Sequence, residues 1–229
     1  MPVGAGRLGY WFVDRSPPLP DPDVPQPDFP NLGFEQGFNG WTIAATRIQM
    51  GGLSNLAGFP TPTDPDPTPW SSPGDAVTVS QTPTFRAYLD PSDKPPFGQT
   101  QSCHLVMGDP VYGVVNPAGS LLYGPAIYCN FFVTFNAGDS CSFDWRAEPG
   151  SDAYNLFAYM VEKDTGNYLT LLRLAGQNAS SGTTWTTTSV VIPTTGNYKF
   201  VFVAGSWDST FGTVIGGDML IDNIQRIPL

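Results

Sequence analysis

The clearest regularity along the chain lies at residues 141–147, where Cys141, Phe143, Trp145 and Ala147 alternate with Ser142, Asp144 and Arg146. A period of two marks a half-buried strand, because successive side chains leave opposite faces of the backbone. One face is therefore core, Trp145 included, and the other meets solvent or ligand. Similar runs predict strands at Ala76–Ser80, Ser102–Met107, Ile127–Phe135, Ala153–Lys163, Tyr168–Ala175, Thr184–Ile192, Asn197–Ala204 and Met219–Ile224. Residues 127–135 are mostly apolar on both faces, which suits a central strand. Residues 153–163 have the length of a helix, but Gly-Ser-Asp before them and Asp-Thr-Gly after them are hairpin punctuation. Eight or more strands at intervals of roughly 10–15 residues, with no helical segment between them, predict an all-β fold, an antiparallel jelly-roll β-sandwich.

The pattern fails at the start of the chain. Residues Ser16–Pro30 hold seven prolines and three aspartates, a composition that excludes helix and ladder and favours extended polyproline II. At ~3.1 Å per residue such a segment reaches on the order of 40 Å. It follows an apolar stretch, Tyr10, Trp11, Phe12 and Val13, suited to anchoring on another protein. From Asn31 the text changes to NLGFEQGFNGW, read as the opening strand of the sandwich with a glycine turn. The expected organisation is an extended Pro-rich N-terminal attachment arm, 1–30, and a β-sandwich domain, 31–229. A second proline-rich tract within 51–74 reads as a surface loop, since prolines at such spacing cannot sit in a core strand.

Composition narrows the function. Of 229 residues only 13% are charged, 25 are glycine and 24 proline, and the formal net charge is -10. The lysines are Lys94, Lys163 and Lys199, so no basic stripe is present to neutralise phosphates and nucleic acid is excluded as a partner. No apolar run approaches a membrane span. The opening MPVGAGRLGYWFVDR lacks the apolar core of a cleaved signal peptide, which places the Asn178 sequon outside a secretory context. Cys103, Cys129 and Cys141 are odd in number, lack C-x-x-C spacing and read as buried small hydrophobes.

Candidate chemistry is sparse. The lone histidine, His104, neighbours Cys103 on one strand, so the two side chains point to opposite faces and form no dyad. It reads as a partly buried sheet residue. One histidine and scattered cysteines argue against zinc, and no G-x-S-x-G elbow supports a serine triad. Asp144, Glu148, Asp152, Glu162 and Asp208 could supply the two carboxylates of a glycosidase, yet Glu148 and Asp152 flank a Pro-Gly turn where acidic residues are ordinary. Trp207, Asp208 and Tyr154 form a candidate glycan site, with rings to stack on a pyranose and a carboxylate to accept its hydroxyls. Calcium is the favoured ion, with Glu35 on the first strand and Asp222 on the last as candidate ligands.

Two stretches resemble known families. NLGFEQGFNGW together with LIDNI is similar to the first and last strands of carbohydrate-binding jelly rolls. That resemblance implies a structural Ca2+ held by Glu35 and Asp222. The segment from GDSCSFDWRAEPGSDAYNLFAYMV through GNYKFVFVAGSWDSTFG to DMLIDNI resembles a sandwich module of bacteriophage virion proteins, especially of phages infecting cyanobacteria, and of large bacterial surface proteins. It implies a virion structural protein that is not an enzyme: a capsid decoration (cement) protein or a tail or surface fibre subunit. The expected partners are other capsid or tail proteins, copies of itself, with a trimer suited to threefold sites, and a host-surface glycan. Assembly in the host cytoplasm would suit the free cysteines. The alternatives are a free-standing calcium-containing lectin-like module and, from the enzyme class, a glycan-degrading domain.

Overall fold

The computed structural model describes residues 31–50, 61–62, 70–71, 75–78, 80–96, 100–108, 121–148, 153–178, 181–207 and 217–229. The arm at 1–30, with Tyr10, Trp11, Phe12 and Val13, lies outside them.

Two antiparallel sheets face each other. The larger contains β12 (Tyr168–Asn178), β11 (Ala153–Glu162), β14 (Gly196–Trp207), β8 (Leu121–Cys129), β2 (Thr46–Met50) and β5 (Asp75–Thr78), in that order. In it β1 (Trp41–Ala44) also pairs with β8, and β9 (Val133–Phe135) with β14. The smaller sheet runs β13 (Thr186–Val191), β10 (Ser140–Ala147), β15 (Met219–Ile227), β7 (Ser102–Met107) and β6 (Phe85–Asp90). A short ribbon, β3 (Thr61–Pro62) with β4 (Trp70–Ser71), lies in the proline-rich tract. The expected all-β sandwich is present, and among the described residues no helix is long and apolar enough to cross a membrane.

The period-two reading of β10 is realised as expected: Cys141, Phe143, Trp145 and Ala147 all enter the core between the sheets. Opposite them, Tyr198, Phe200, Phe202 and Ala204 of β14 do the same, and the Phe143 and Phe202 rings meet edge to face across the sandwich at 5.2 Å. Such a pair adds about 0.5–1.5 kcal/mol beyond the burial of its surface. The other face of the large sheet carries a second buried apolar cluster containing Tyr123, Tyr128, Phe157, Tyr159, Val201 and Val203. Every residue of β11 is consequently buried.

Two expectations change. NLGFEQGFNGW is not a strand: residues 31–40 form turns, and the first strand begins only at Trp41. Asn31 organises this segment, donating to the carbonyls of Gly37 and Asn39 and accepting from the Gln36 amide, while its own carbonyl accepts from the Trp41 indole. Residues 127–135 divide into β8 and β9, which pair with β14 at different places. Strand β6, FRAYLD, carries no sequence prediction, and it supplies part of the site below.

Candidate functional site

The outer face of the small sheet holds a dense polar cluster. On β6 and β7 the inward residues are Phe85, Ala87, Cys103, Leu105 and Met107, so alternation sends Tyr88, Asp90 and His104 outward. The register sets Tyr88 opposite His104, and their rings lie 4.8 Å apart. Tyr88 Oη is 2.8 Å from His104 Nδ1 and donates to Asp90 Oδ2 at 3.3 Å. On the other side of the imidazole, Nε2 lies 3.3 Å from Asp218 Oδ2. Asp218 is fixed by the Met107 amide, which donates to its Oδ1, and by a close approach of backbones at Gly217. Gly217 has φ +93°, and a Cβ there would stand 2.1 Å from the Gly205 carbonyl oxygen, so only glycine fits.

Glu148 completes the cluster. Its amide donates to the Asp218 carbonyl, and its carboxylate joins those of Asp218 and the His104 ring so that one ligand atom from each lies within 4.8 Å of the others. Arg146 is drawn mainly to Asp93, which also accepts from the Trp185 indole, and keeps a longer 3.6 Å contact with Glu148 Oε1. The charges follow from this crowding. Burial opposes a charge on His104, but hydrogen bonding and the negative charge of Asp218, helped by Glu148 and Asp90, raise its pKa above the usual imidazole value. Burial likewise raises Glu148. Tyr88 is pushed up to about 12 by burial and by Asp90.

A second feature lies at the end of the sandwich near the start of β10. The β11–β12 turn and residues 193–195 enclose a cleft of about 290 Å³, near the lower end of the ~300–1,000 Å³ usual for small-ligand sites. Its rim carries Tyr168, half exposed, with the exposed side chains of Asp164, Thr165, Asn167, Thr194 and Thr195. Beneath it Tyr198 is buried and donates to the Thr194 carbonyl at 2.7 Å. Glu162 shapes the turn: its Oε2 accepts from the amides of Asp164 and Thr165 and from the Thr165 hydroxyl. Those bonds outweigh burial and lower its pKa. Gly196 allows the close packing, since a Cβ there would meet Glu162 Cγ at 2.9 Å.

Most residues singled out from sequence lie elsewhere. Tyr154 is 6% exposed and packs in the core, so its ring offers no open face to a sugar. Trp207 is the last residue of β14, and Asp208 and Asp152 lie outside the described residues. Asp144 accepts from Thr187 and Asn223, and Trp145 donates from the core to Thr188. Glu35 is in a turn and not on a strand, and both its oxygens accept from Thr100. Asp222 is fully buried, with Oδ1 accepting from the amide of Asn223, a residue at φ 52°. The Thr100 bonds tie Glu35 and the opening turn to the segment that leads into β7. The cysteines are buried and unpaired with one another, as expected.

No signal in the sequence pointed to the His104 cluster, because its members come from five separated positions on four elements. The exposure of Tyr168 could have been read from its place directly after Asp-Thr-Gly-Asn.

No family model matches the sequence, and no curated protein matches it. Solved structures do. The enzymatically active domain of tailspike protein 4 from bacteriophage CBA120 aligns with 91% of this chain at 11% identity and a TM-score of 0.44, this chain spanning 22% of that one. A carbohydrate-binding module, TmCBM61, solved with β-1,4-galactotriose, aligns over 88% of this chain and 97% of its own at 11% identity and a TM-score of 0.40. A module specific for non-crystalline cellulose, CBM28, aligns over 89% and 96% at 12% identity and a TM-score of 0.42.

Proposed function

We propose that this chain is a non-catalytic virion structural protein, a capsid decoration protein or a tail or surface fibre subunit, that contacts host-surface glycans through the Tyr168 cleft. The observation that carries the glycan reading is the rim itself. A half-exposed tyrosine stands beside Asp164, Asn167, Thr194 and Thr195, pairing an apolar ring face with a fringe of hydroxyl, amide and carboxylate groups. A pyranose presents the complementary surface, C–H groups on one face and hydroxyls around the edge. The particle role draws on the resemblance of residues 138–224 to phage virion modules and on the proline-rich arm, whose low entropy suits docking on a neighbouring subunit.

Two observations favour binding over hydrolysis. Glu162 at the cleft is locked into its turn by three hydrogen bonds, which leaves it no proton-transfer role. Glu148 and Asp218, which approach each other beside the His104 imidazole, do not line the cleft.

A panel of bacterial surface polysaccharides tests the glycan reading. The protein should be retained by at least one of them, with retention falling roughly tenfold or more in Tyr168→Ala, as expected when a stacking ring is removed. Retention indifferent to Tyr168, or hydrolysis of the polysaccharide, would contradict it. Deletion of residues 1–30 should abolish incorporation into particles while leaving the sandwich folded.

A further inference from the structure

We infer that His104 Nε2, Glu148 and Asp218 form a binding site for a divalent first-row transition metal ion, best suited to Zn2+, on the outer face of the small sheet. The three ligand atoms already lie within 4.8 Å of one another. Bonds of ~2.0–2.2 Å to a tetrahedral ion set its ligands about 3.3–3.5 Å apart. The Nε2 to Asp218 Oδ2 separation of 3.3 Å meets that spacing before any ion arrives, and a Glu148 oxygen lies no more than 4.8 Å from the other two ligand atoms.

The surroundings have the form of a metal site's supporting shell. A ligating histidine is oriented by a hydrogen bond at its other ring nitrogen, which also fixes the tautomer. Here Tyr88 Oη stands 2.8 Å from Nδ1 and donates its own hydrogen bond to Asp90. In the tautomer that completes this chain, Nδ1 carries the hydrogen and Nε2 presents a lone pair toward the Asp218 carboxylate. With Nε2 protonated instead, the 3.3 Å contact is a hydrogen bond to Asp218 Oδ2, and a metal ion binds by displacing that proton. Asp218 is held from behind by the Met107 amide, Glu148 is tethered to it through the backbone, and Arg146 is turned aside to Asp93. One imidazole with two carboxylates suits zinc and leaves at least one position for water or a ligand oxygen. Neither glutamate nor aspartate is fully buried, so an ion has a way in.

The site is independent of the glycan reading. Untagged protein, stripped with chelator and titrated with Zn2+ in a calorimeter, should bind one equivalent. Affinity should fall roughly 100-fold or more in Glu148→Gln and in Asp218→Asn, and roughly tenfold in Tyr88→Phe, which touches no ion. Co2+ in place of Zn2+ should give visible d–d bands without the thiolate charge-transfer band that the cysteines would produce. Because Glu148 is partly exposed, its variant should keep the metal-free melting temperature, which separates lost ligation from misfolding. Absence of Zn2+ binding by the native chain, uptake unchanged in Glu148→Gln, or a thiolate band with Co2+ would each overturn the inference.

Discussion

At the His104 cluster Tyr88 and His104 face each other across paired strands, with Glu148 just after β10 and Asp218 just before β15, whereas at the Tyr168 cleft the polar groups stand on turns and face outward. Strand pairing fixes relative positions closely, so charges that would repel in solution can be made to converge on one point. Such convergence suits a small ion. Turns expose an aromatic face and a looser fringe of donors and acceptors, which suits an extended polar ligand with an apolar patch. The two regions adjoin opposite ends of β10: the Ile192 amide beside the cleft bonds to the Asp139 carbonyl, and Glu148 follows Ala147. Eight residues at ~3.4 Å each put them on the order of 25 Å apart. Changes at sites so far apart should add independently.

That independence gives the largest expected effect. Tyr168→Ala should reduce glycan retention roughly tenfold and leave Zn2+ affinity unchanged, while Glu148→Gln should do the reverse. Retention assays and calorimetry on both variants measure this, and a shared loss would mean that the regions act as one site.

A smaller effect is expected at Glu162, which makes the cleft what it is. Glu162→Ala removes three charge-assisted hydrogen bonds from one turn, a cost of about 1–3 kcal/mol with partial compensation by water. Chemical denaturation should show that loss, and glycan retention should weaken although Tyr168 is intact. Unchanged retention would place the sugar away from this turn.

The smallest effect concerns acid. Asp139 accepts from the Asn136 amide, from Arg226 and from the Leu229 amide, and these bonds, led by the Asn136 amide and opposed by burial, lower its pKa. A carboxyl whose folded pKa lies below its unfolded value of ~3.9 contributes stability above that value. The contribution is lost as pH falls through the lower folded value. Asp139→Asn should therefore lower the melting temperature at neutral pH and flatten its decline below about pH 4. An equally steep decline would show that Asp139 is not among the groups responsible.

How much of this was legible in the sequence follows from how local each signal is. The alternation at Cys141, Phe143, Trp145 and Ala147 needs only its own neighbours, and it gave the strand, its inner face and the sandwich. Strand β6 was missed because FRAYLD lies between the Thr-Pro-Thr before it and the Pro-Ser-Asp after it. With it went Tyr88 and Asp90. NLGFEQGFNGW was misread because its apolar residues sit among glycines and asparagines that build turns, and Phe34 takes φ 58°, which no strand permits. Tyr154 was judged exposed from the turn before it, but pairing on both edges of β11 encloses it. The metal cluster was out of reach because one histidine looks isolated in a sequence, and its carboxylates arrive 44 and 114 residues later through the neighbours of β10 and β15.

The most direct test of the glycan reading is to locate a bound oligosaccharide by amide chemical-shift mapping. Titration with a fragment of the retained polysaccharide should move the amides of Thr165, Asn167, Tyr168, Thr194 and Thr195 and leave those of His104 and Glu148 in place. Shifts centred on His104 and Glu148, with the cleft amides still, would contradict the account.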